Sequence, residues 1–198
     1  MMNFKMFDLY DVDTVKVVDA SLAPYINLQP KLLIKSHGRN VGKFTQAKIS
    51  IVERLANRLA VPGHVGKKHK IITSHSSGKY NSNMRTVIET LKIIAERKKE
   101  NPVQVLVKAV ENASPRDEIT TIEYGGARYP QAVDVSPLRR VNLVIRWMVQ
   151  GAYQRSFGKK KKMAESLAQE IISASESNGE SYAFGKKNEA EKQADSAR

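Results

Sequence analysis

The chain of 198 residues contains no cysteine. Disulfides and thiolate metal sites are therefore excluded, and a reducing, cytoplasmic setting is in keeping with the composition. No apolar run approaches the roughly 18–20 residues needed to cross a bilayer. The first residues, MMNFKMFDLYDVD, are acidic and interrupted by Asp, which is not the pattern of a secretory signal. A membrane partner is not expected. Acids are also scarce: 20 Asp and Glu stand against 33 Lys and Arg, giving a net charge of +13. That imbalance favours a polyanionic partner, nucleic acid first.

What is present is unevenly placed. Lys31 to Lys70 holds ten basic residues and one acid, Glu53; Arg116 to Lys162 holds ten basic and four acidic residues. Residues 1–30 and 163–198 are both net negative. Two segments, distant in sequence, thus generate the positive field. Ordinary solvated faces would intersperse the signs.

Periodicity predicts a mainly helical chain. Residues 1–30 show no sustained period; Val15, Val17 and Val18 suggest a short strand or edge segment, and Ser21 to Ile26 one helical turn. Residues 31–44 read as a basic arm. Ile49, Val52, Leu55, Ala56 and Leu59 predict a first helix over about 45–59, with Thr45 as its N-cap. Residues 63–82 read as a mobile basic connection. A second helix is expected over 83–98. Asn101 and Pro102 open a third, which ends at 112–115. Two β-rich runs, 119–123 and 127–135, flank Gly125-Gly126, a hairpin turn signal. Pro130 lacks an N–H and suits an edge strand. Ser136 and Pro137 open a fourth helix to about 155, and a fifth is expected over 160–175. Residues 176–198 are polar and read as a partly disordered tail. The fold expected is a bundle of about five to six helices with a β-hairpin arm inserted between the third and fourth.

Catalysis finds little support. His64, His69 and His75 fall in one loop at spacings of five and six, unlike a zinc site. GRNVGK (38–43) and GHVGKK (63–68) lack the G-x-x-x-x-G-K-[ST] pattern of a phosphate loop. No catalytic residue, metal or cofactor is expected. The basic residues fit nucleic acid better. Arg39, Lys43 and Lys48 lead into the first helix, and Lys67, Lys68 and Lys70 are clustered point charges for phosphate. Arg116, Arg128, Arg139, Arg140 and Arg146 bracket the hairpin, and the planar guanidinium fork suits phosphate and base edges. Arg139 and Arg140 stand at the positive end of the fourth helix, which is unfavourable unless a polyanion offsets it. Tyr124 and Tyr129 flank the turn, where a ring can either stack on an unpaired base or pack across the strands. The competing classes are an RNA-modifying enzyme or nuclease, which would need a catalytic constellation, and a helical DNA-binding regulator, which would need a recognition helix that reads bases.

QAVDVSPLRRVN (131–142), ENPVQVLVKAV (100–110), SPRDE (114–118), SYAFGKKNE (181–189), and IVERLANRL (51–59) followed by GKK (66–68) resemble the universal small-subunit ribosomal protein seven family. They look most like its archaeal and eukaryotic branch, whose eukaryotic member is called small-subunit protein five. The acidic N-terminal segment fits the archaeal type. The resemblance implies a single domain over 1–198: an N-terminal extension and basic arm (1–44), a helical core (45–175) with the hairpin at about 119–135, and a polar tail (176–198). It also implies a structural constituent of the small subunit in the cytoplasm. Such a protein would be a primary binder of the 3′ major domain of small-subunit ribosomal RNA that nucleates head assembly. Small-subunit proteins eleven, nine and thirteen would be neighbours. The hairpin region, Tyr124, Gly125, Gly126, Arg128 and Tyr129, would lie near exit-site tRNA and mRNA. RNA contacts would concentrate at Arg39, Lys43 and Lys48, at Lys67 and Lys68, and at Arg139 and Arg140. The alternative is a generic basic RNA-binding protein outside the ribosome.

Overall fold

The computed structural model describes residues 5–7, 9–30, 34–38, 40, 42, 45–63 and 76–198. Arg39, Lys43, Lys67, Lys68 and Lys70, and most of the 63–82 connection, lie outside the described residues.

Among the described residues, six α-helices and one hairpin follow in chain order: α1 (Ile51–Arg58), α2 (Tyr80–Lys98), α3 (Pro102–Asn112), β1 (Asp117–Tyr124), β2 (Ala127–Asp134), α4 (Pro137–Ser156), α5 (Met163–Ser175) and α6 (Tyr182–Asp195). The expected bundle with an arm between its third and fourth helices is the observed one. α5 is the central element and packs against α2, α3, α4 and α6. Its Leu167, Ala168, Ile171 and Ala174 are fully buried, and the polar Ser166 and Glu170 are buried with them. A helix covered on nearly all sides needs small and apolar residues round most of its circumference, and α5 has them.

Local chemistry explains several boundaries. The Asn101 side chain accepts from the Val103 N–H and Pro102 holds the first helical position, so α3 starts as expected. Gly125 (φ 59°) and Gly126 (φ 82°) both take left-handed conformations, the type I′ hairpin pattern, which non-glycine residues rarely adopt. The strands pair from Asp117↔Asp134 to Tyr124↔Ala127.

Four expectations are corrected. The helix read over 45–59 is two elements: a 3₁₀ turn, Thr45–Lys48, and α1 from Ile51. Asn27 causes the break. Its Nδ2 donates to the Lys48 carbonyl (2.6 Å), and its carbonyl accepts from the Ile51 N–H (3.1 Å). Those are groups a continuous helix would have paired internally. Thr45 therefore caps no α-helix; its hydroxyl donates to the Gly42 carbonyl. Ser136 has N-cap backbone geometry, yet its hydroxyl makes no capping bond. It is exposed, so water can serve the first-turn donors.

Residues 15–19 form no strand. The Gln104 side chain of α3 exchanges two hydrogen bonds with the Lys16 backbone, and Glu111 accepts from the Val18 and Asp19 N–H groups. Side chains replace a partner strand there. Finally, the polar tail contains α6. Only Ala183 and Ala194 are buried on it, too few to show as an apolar stripe. Polar contacts hold it instead. The Glu170 carboxylate, fully buried, accepts from Ser181 Oγ (2.8 Å) and the Ala183 N–H (3.0 Å), and Ser181 accepts from the Phe184 N–H. Gly151 lets α6 approach α4: a Cβ there would meet Tyr182 Cβ at 2.6 Å.

Candidate nucleic-acid interface

Two groups of arginines emerge, and they behave differently. The first lies between α1 and α4. Gln46, Ile49, Arg54, Asn57, Arg58, Asn142, Ile145 and Arg146 line a cleft of about 310 Å³, with no carboxylate in it among the described residues. Arg54 and Arg58 are one helical turn apart on α1, and Asn142 and Arg146 are one turn apart on α4, so each pair shares a face. Arg54 staples the walls. Its Nη1 donates to the Tyr25 carbonyl and its Nη2 to Asn142 Oδ1, both at 2.9 Å; Asn142 Nδ2 donates in turn to Gln46 Oε1 at 2.9 Å. Burial lowers the Arg54 guanidinium to about 10. It stays charged at neutral pH.

Arg58 also sits below its ordinary value, first through burial and then through the charge of Arg146. Among the described residues its buried Nε has no hydrogen-bond partner, and neither has that of Arg54. Like charges held together with donors unsatisfied destabilise the free protein. An oxyanion in the cleft would relieve both defects at once. Arg146 is exposed and available to it, and Lys48 is exposed at the end of the 3₁₀ turn. Glu53, the one acid between Lys31 and Lys70, does not line the cleft. It is buried and accepts from the Ser36 N–H at 2.7 Å, and together with burial its charge pushes the Tyr80 hydroxyl up to about 12.

The second group lies at the hairpin base, where cations are neutralised. Arg140 is 8% exposed and turned inward. Its Nε donates to the Pro115 carbonyl (3.1 Å) and its Nη1 to Ser21 Oγ (2.8 Å). Its Nη2 donates to Asp19 Oδ2 (3.1 Å) and Ser114 Oγ (2.9 Å). Asp19 is held below its ordinary value by the Ser21 hydroxyl first, then by the Ser21 N–H and Arg140. Arg140 is thus a tie between the N-terminal segment, the end of α3 and α4, which differs from the outward role the sequence suggests. Arg139 grips Glu118 of β1 with both ends of its fork, at 2.5 and 2.8 Å, and that hydrogen bond raises its pKa. α6 braces the same place. Glu191 accepts from the Arg116 N–H, Lys187 Nζ donates to the Asn112 carbonyl, and Arg198 pairs with Asp117 at 2.6 Å.

Beyond its base the hairpin projects into solvent. Register places Ile122 opposite Tyr129 and Tyr124 opposite Ala127, so Ile122, Tyr124 and Tyr129 share one face. Tyr124 is 81% and Tyr129 58% exposed. The rings are therefore not buried by cross-strand packing. Arg128 is exposed beside them, 3.5 Å from Glu123.

Of the residues named from sequence, Arg146 lines the cleft, Lys48 lies on a separate groove with Ala47 and residues 23–29, Tyr124, Arg128 and Tyr129 lie at the hairpin tip, and Arg116, Arg139 and Arg140 at its base. Arg54 and Arg58 were missed. The signal was there, as two pairs spaced four apart, but only the packing of α1 on α4 gives it meaning.

A family model described as Ribosomal protein S7p/S5e matches residues 29–198. The small ribosomal subunit protein uS7 of Nanoarchaeum equitans is 52% identical over 198 residues, covering 100% of both chains. The protein of that name from Methanothermobacter thermautotrophicus is 46% identical over 97% of this chain and 98% of its own. That from Methanosphaera stadtmanae is 44% identical over 99% of this chain and 100% of its own. The chain belongs to the ribosomal protein S7p/S5e family, in its archaeal and eukaryotic branch.

Proposed function

We propose that this protein is a structural, non-catalytic constituent of the small ribosomal subunit in the cytoplasm. In this reading it binds the 3′ major domain of small-subunit ribosomal RNA and nucleates assembly of the head. The observation that carries the reading is the cleft, lined by no acid among the described residues, where Arg58 meets the charge of Arg146 and the Nε donors of Arg54 and Arg58 lack partners. Phosphate oxygens supply the missing charge and the missing acceptors. Lys48, exposed on a separate groove, and Arg39, Lys43, Lys67, Lys68 and Lys70 add charge from segments flanking α1 in sequence. Affinity comes from counterion release and selectivity from the shape of the folded RNA.

The hairpin has a separate role. Arg139 and Arg140, held by Glu118 and Asp19, fix its direction. Its tip presents Tyr124, Arg128 and Tyr129 toward exit-site tRNA and mRNA, with Gly125 and Gly126 shaping the turn. Arg116 lies at its foot. Small-subunit proteins eleven, nine and thirteen are the neighbours this placement implies.

The test is binding to a transcript of the 3′ major domain, with an unrelated structured RNA of equal length beside it, across a salt series. Preference for the ribosomal fragment that survives moderate salt is the expected result. Equal binding that fades together for both RNAs with salt would leave a generic basic RNA-binding protein.

A further inference from the structure

α6 is fastened by a polar latch, and it fastens the hairpin in turn. Its two fully buried side chains are alanines, Ala183 and Ala194, so apolar burial contributes little to its docking. The deep contact is made by Glu170 of α5. Its Oε1 accepts from Ser181 Oγ at 2.8 Å and from the Ala183 N–H at 3.0 Å, which sets a carboxylate against the first turn of α6. Its Oε2 lies 3.2 Å from Arg155 Nη2 of α4, and the same nitrogen donates to the Glu180 carbonyl just before α6. Gly151 of α4 supplies the room: a Cβ there would meet Tyr182 Cβ at 2.6 Å and Glu170 Cδ at 3.1 Å. At its other end α6 reaches the arm. Asp117 and Glu118 are consecutive in β1, so their side chains point to opposite faces. Arg139 of α4 grips Glu118 on one face, and Arg198, just beyond α6, grips Asp117 on the other. Glu191 of α6 accepts from the neighbouring Arg116 N–H. The foot of the arm is thus clamped between α4 and α6.

We propose that α6 is a detachable brace with Glu170 as its latch. Docked, it holds the arm in one direction; released, it leaves the arm hinged on the α4 side. Elements that bury little apolar area open locally, at a free energy well below that of global unfolding. Most contacts of α6 are polar and are replaced by water when it leaves, whereas those to buried Glu170 are made in a site closed to water. The arm magnifies the consequence. The eight residues of β1, at about 3.3 Å each, put the tip roughly 26 Å from the foot, so a swing of about 10° moves it by roughly 4–5 Å. Glu170 is therefore a positioning residue for the tip, although it belongs to the centre of the bundle. The proposal goes beyond the RNA-binding reading and does not depend on what the tip meets.

The chain has no cysteine, so two can be introduced for spin labels: Ala127→Cys at the exposed tip and Lys92→Cys on the exposed side of α2. Double electron–electron resonance reads their separation in the full chain, and hydrogen exchange reads α6 in the same proteins. With the latch intact one narrow distance is expected. Glu170→Ala should make the α6 amides exchange faster by on the order of tenfold or more, and should broaden the distance distribution by several ångströms. Gly151→Ala, which keeps Glu170 and obstructs Tyr182, should do the same. Ser181→Ala removes one latch bond and no charge, and should show both changes at smaller size. Val52→Ala opens a cavity under α1 and lowers the melting temperature, yet should leave α6 exchange and the distance as in wild type. Faster α6 exchange with a distance that stays narrow would mean that α4 alone sets the arm, and overturns the proposal. Wild-type α6 exchange in the latch variants overturns it as well. So does broadening in Val52→Ala equal to that in Glu170→Ala, because the arm would then follow stability at large.

Discussion

The α1–α4 cleft and the hairpin base are both arginine-rich, and they differ in what surrounds the guanidinium. At the base, Arg140 meets four protein oxygens and Arg139 a whole carboxylate. In the cleft, Arg58 meets Arg146 and, among the described residues, no acid. The base therefore uses positive charge to hold the fold, whereas the cleft exports it. Counting arginines along the chain does not separate the two uses; the acids that fold back onto them do. Asp19 reaches Arg140 across 121 residues, a partnership no local pattern announces.

Removing Arg140 should produce the largest effect. Arg140→Ala leaves Asp19 without its cation and Ser114 in a buried site without its donor. Breaking one side of a mostly buried pair costs about 3 kcal/mol. For a chain of this length that corresponds to a melting temperature lower by roughly 6–12 °C. The salt slope of RNA binding should stay as in wild type. A flattened slope with an unchanged melting temperature would place Arg140 on the RNA instead.

The converse is expected in the cleft. Arg58→Gln with Arg146→Gln should weaken binding to the 3′ major domain transcript by on the order of tenfold or more and lower the salt slope by up to roughly 1.8. Its melting temperature should hold or rise, because a like-charge repulsion is gone. Calorimetry and a salt series on the same preparations decide whether the two effects separate as the comparison requires.

A smaller effect follows from pH. Asp19 is held below its ordinary 3.8 by Ser21 and Arg140. A depressed carboxylate contributes stability that is fully present above its unfolded value and is lost as pH falls through the folded one. Wild type should therefore lose stability below about pH 4 through this group, and Asp19→Asn should flatten that part of the curve. Melting temperatures between pH 2.5 and 6 check it. An identical acid limb in both proteins would mean the Asp19 pair contributes nothing.

Features signalled by adjacent residues were legible in the sequence, and features set by distant partners were not. The Asn101-Pro102 start of α3 and the Gly125-Gly126 turn depend on a few neighbouring residues, and both are as expected. The apolar faces of α2 through α5 follow from their period. The break before α1 depends on Asn27, more than 20 residues upstream, and could not be read from the helix itself. α6 was hidden because polar contacts from Glu170, Arg116 and Asn112 hold it in place of an apolar stripe. Among the site residues, Arg146 lines the cleft, whereas Lys48 lies on a separate groove. The inward turn of Arg140 required knowing where residues 19–21 dock.

The finest test concerns Arg139, which stands between the two regions. It is about half exposed, as a phosphate contact would be, yet Glu118 occupies both ends of its fork. A bidentate surface pair contributes at most about 1 kcal/mol, so Arg139→Ala should move the melting temperature by only a few degrees. Taking a phosphate would mean giving up two charge-assisted bonds and leaving Glu118 to face the RNA backbone. The salt slope should accordingly be unchanged in Arg139→Ala. Glu118→Gln frees the same guanidinium and should steepen the slope by roughly 0.9, one phosphate more than wild type. If Arg139→Ala flattens the slope and Glu118→Gln does nothing, Arg139 exchanges Glu118 for phosphate on binding, and the hairpin base becomes part of the RNA surface.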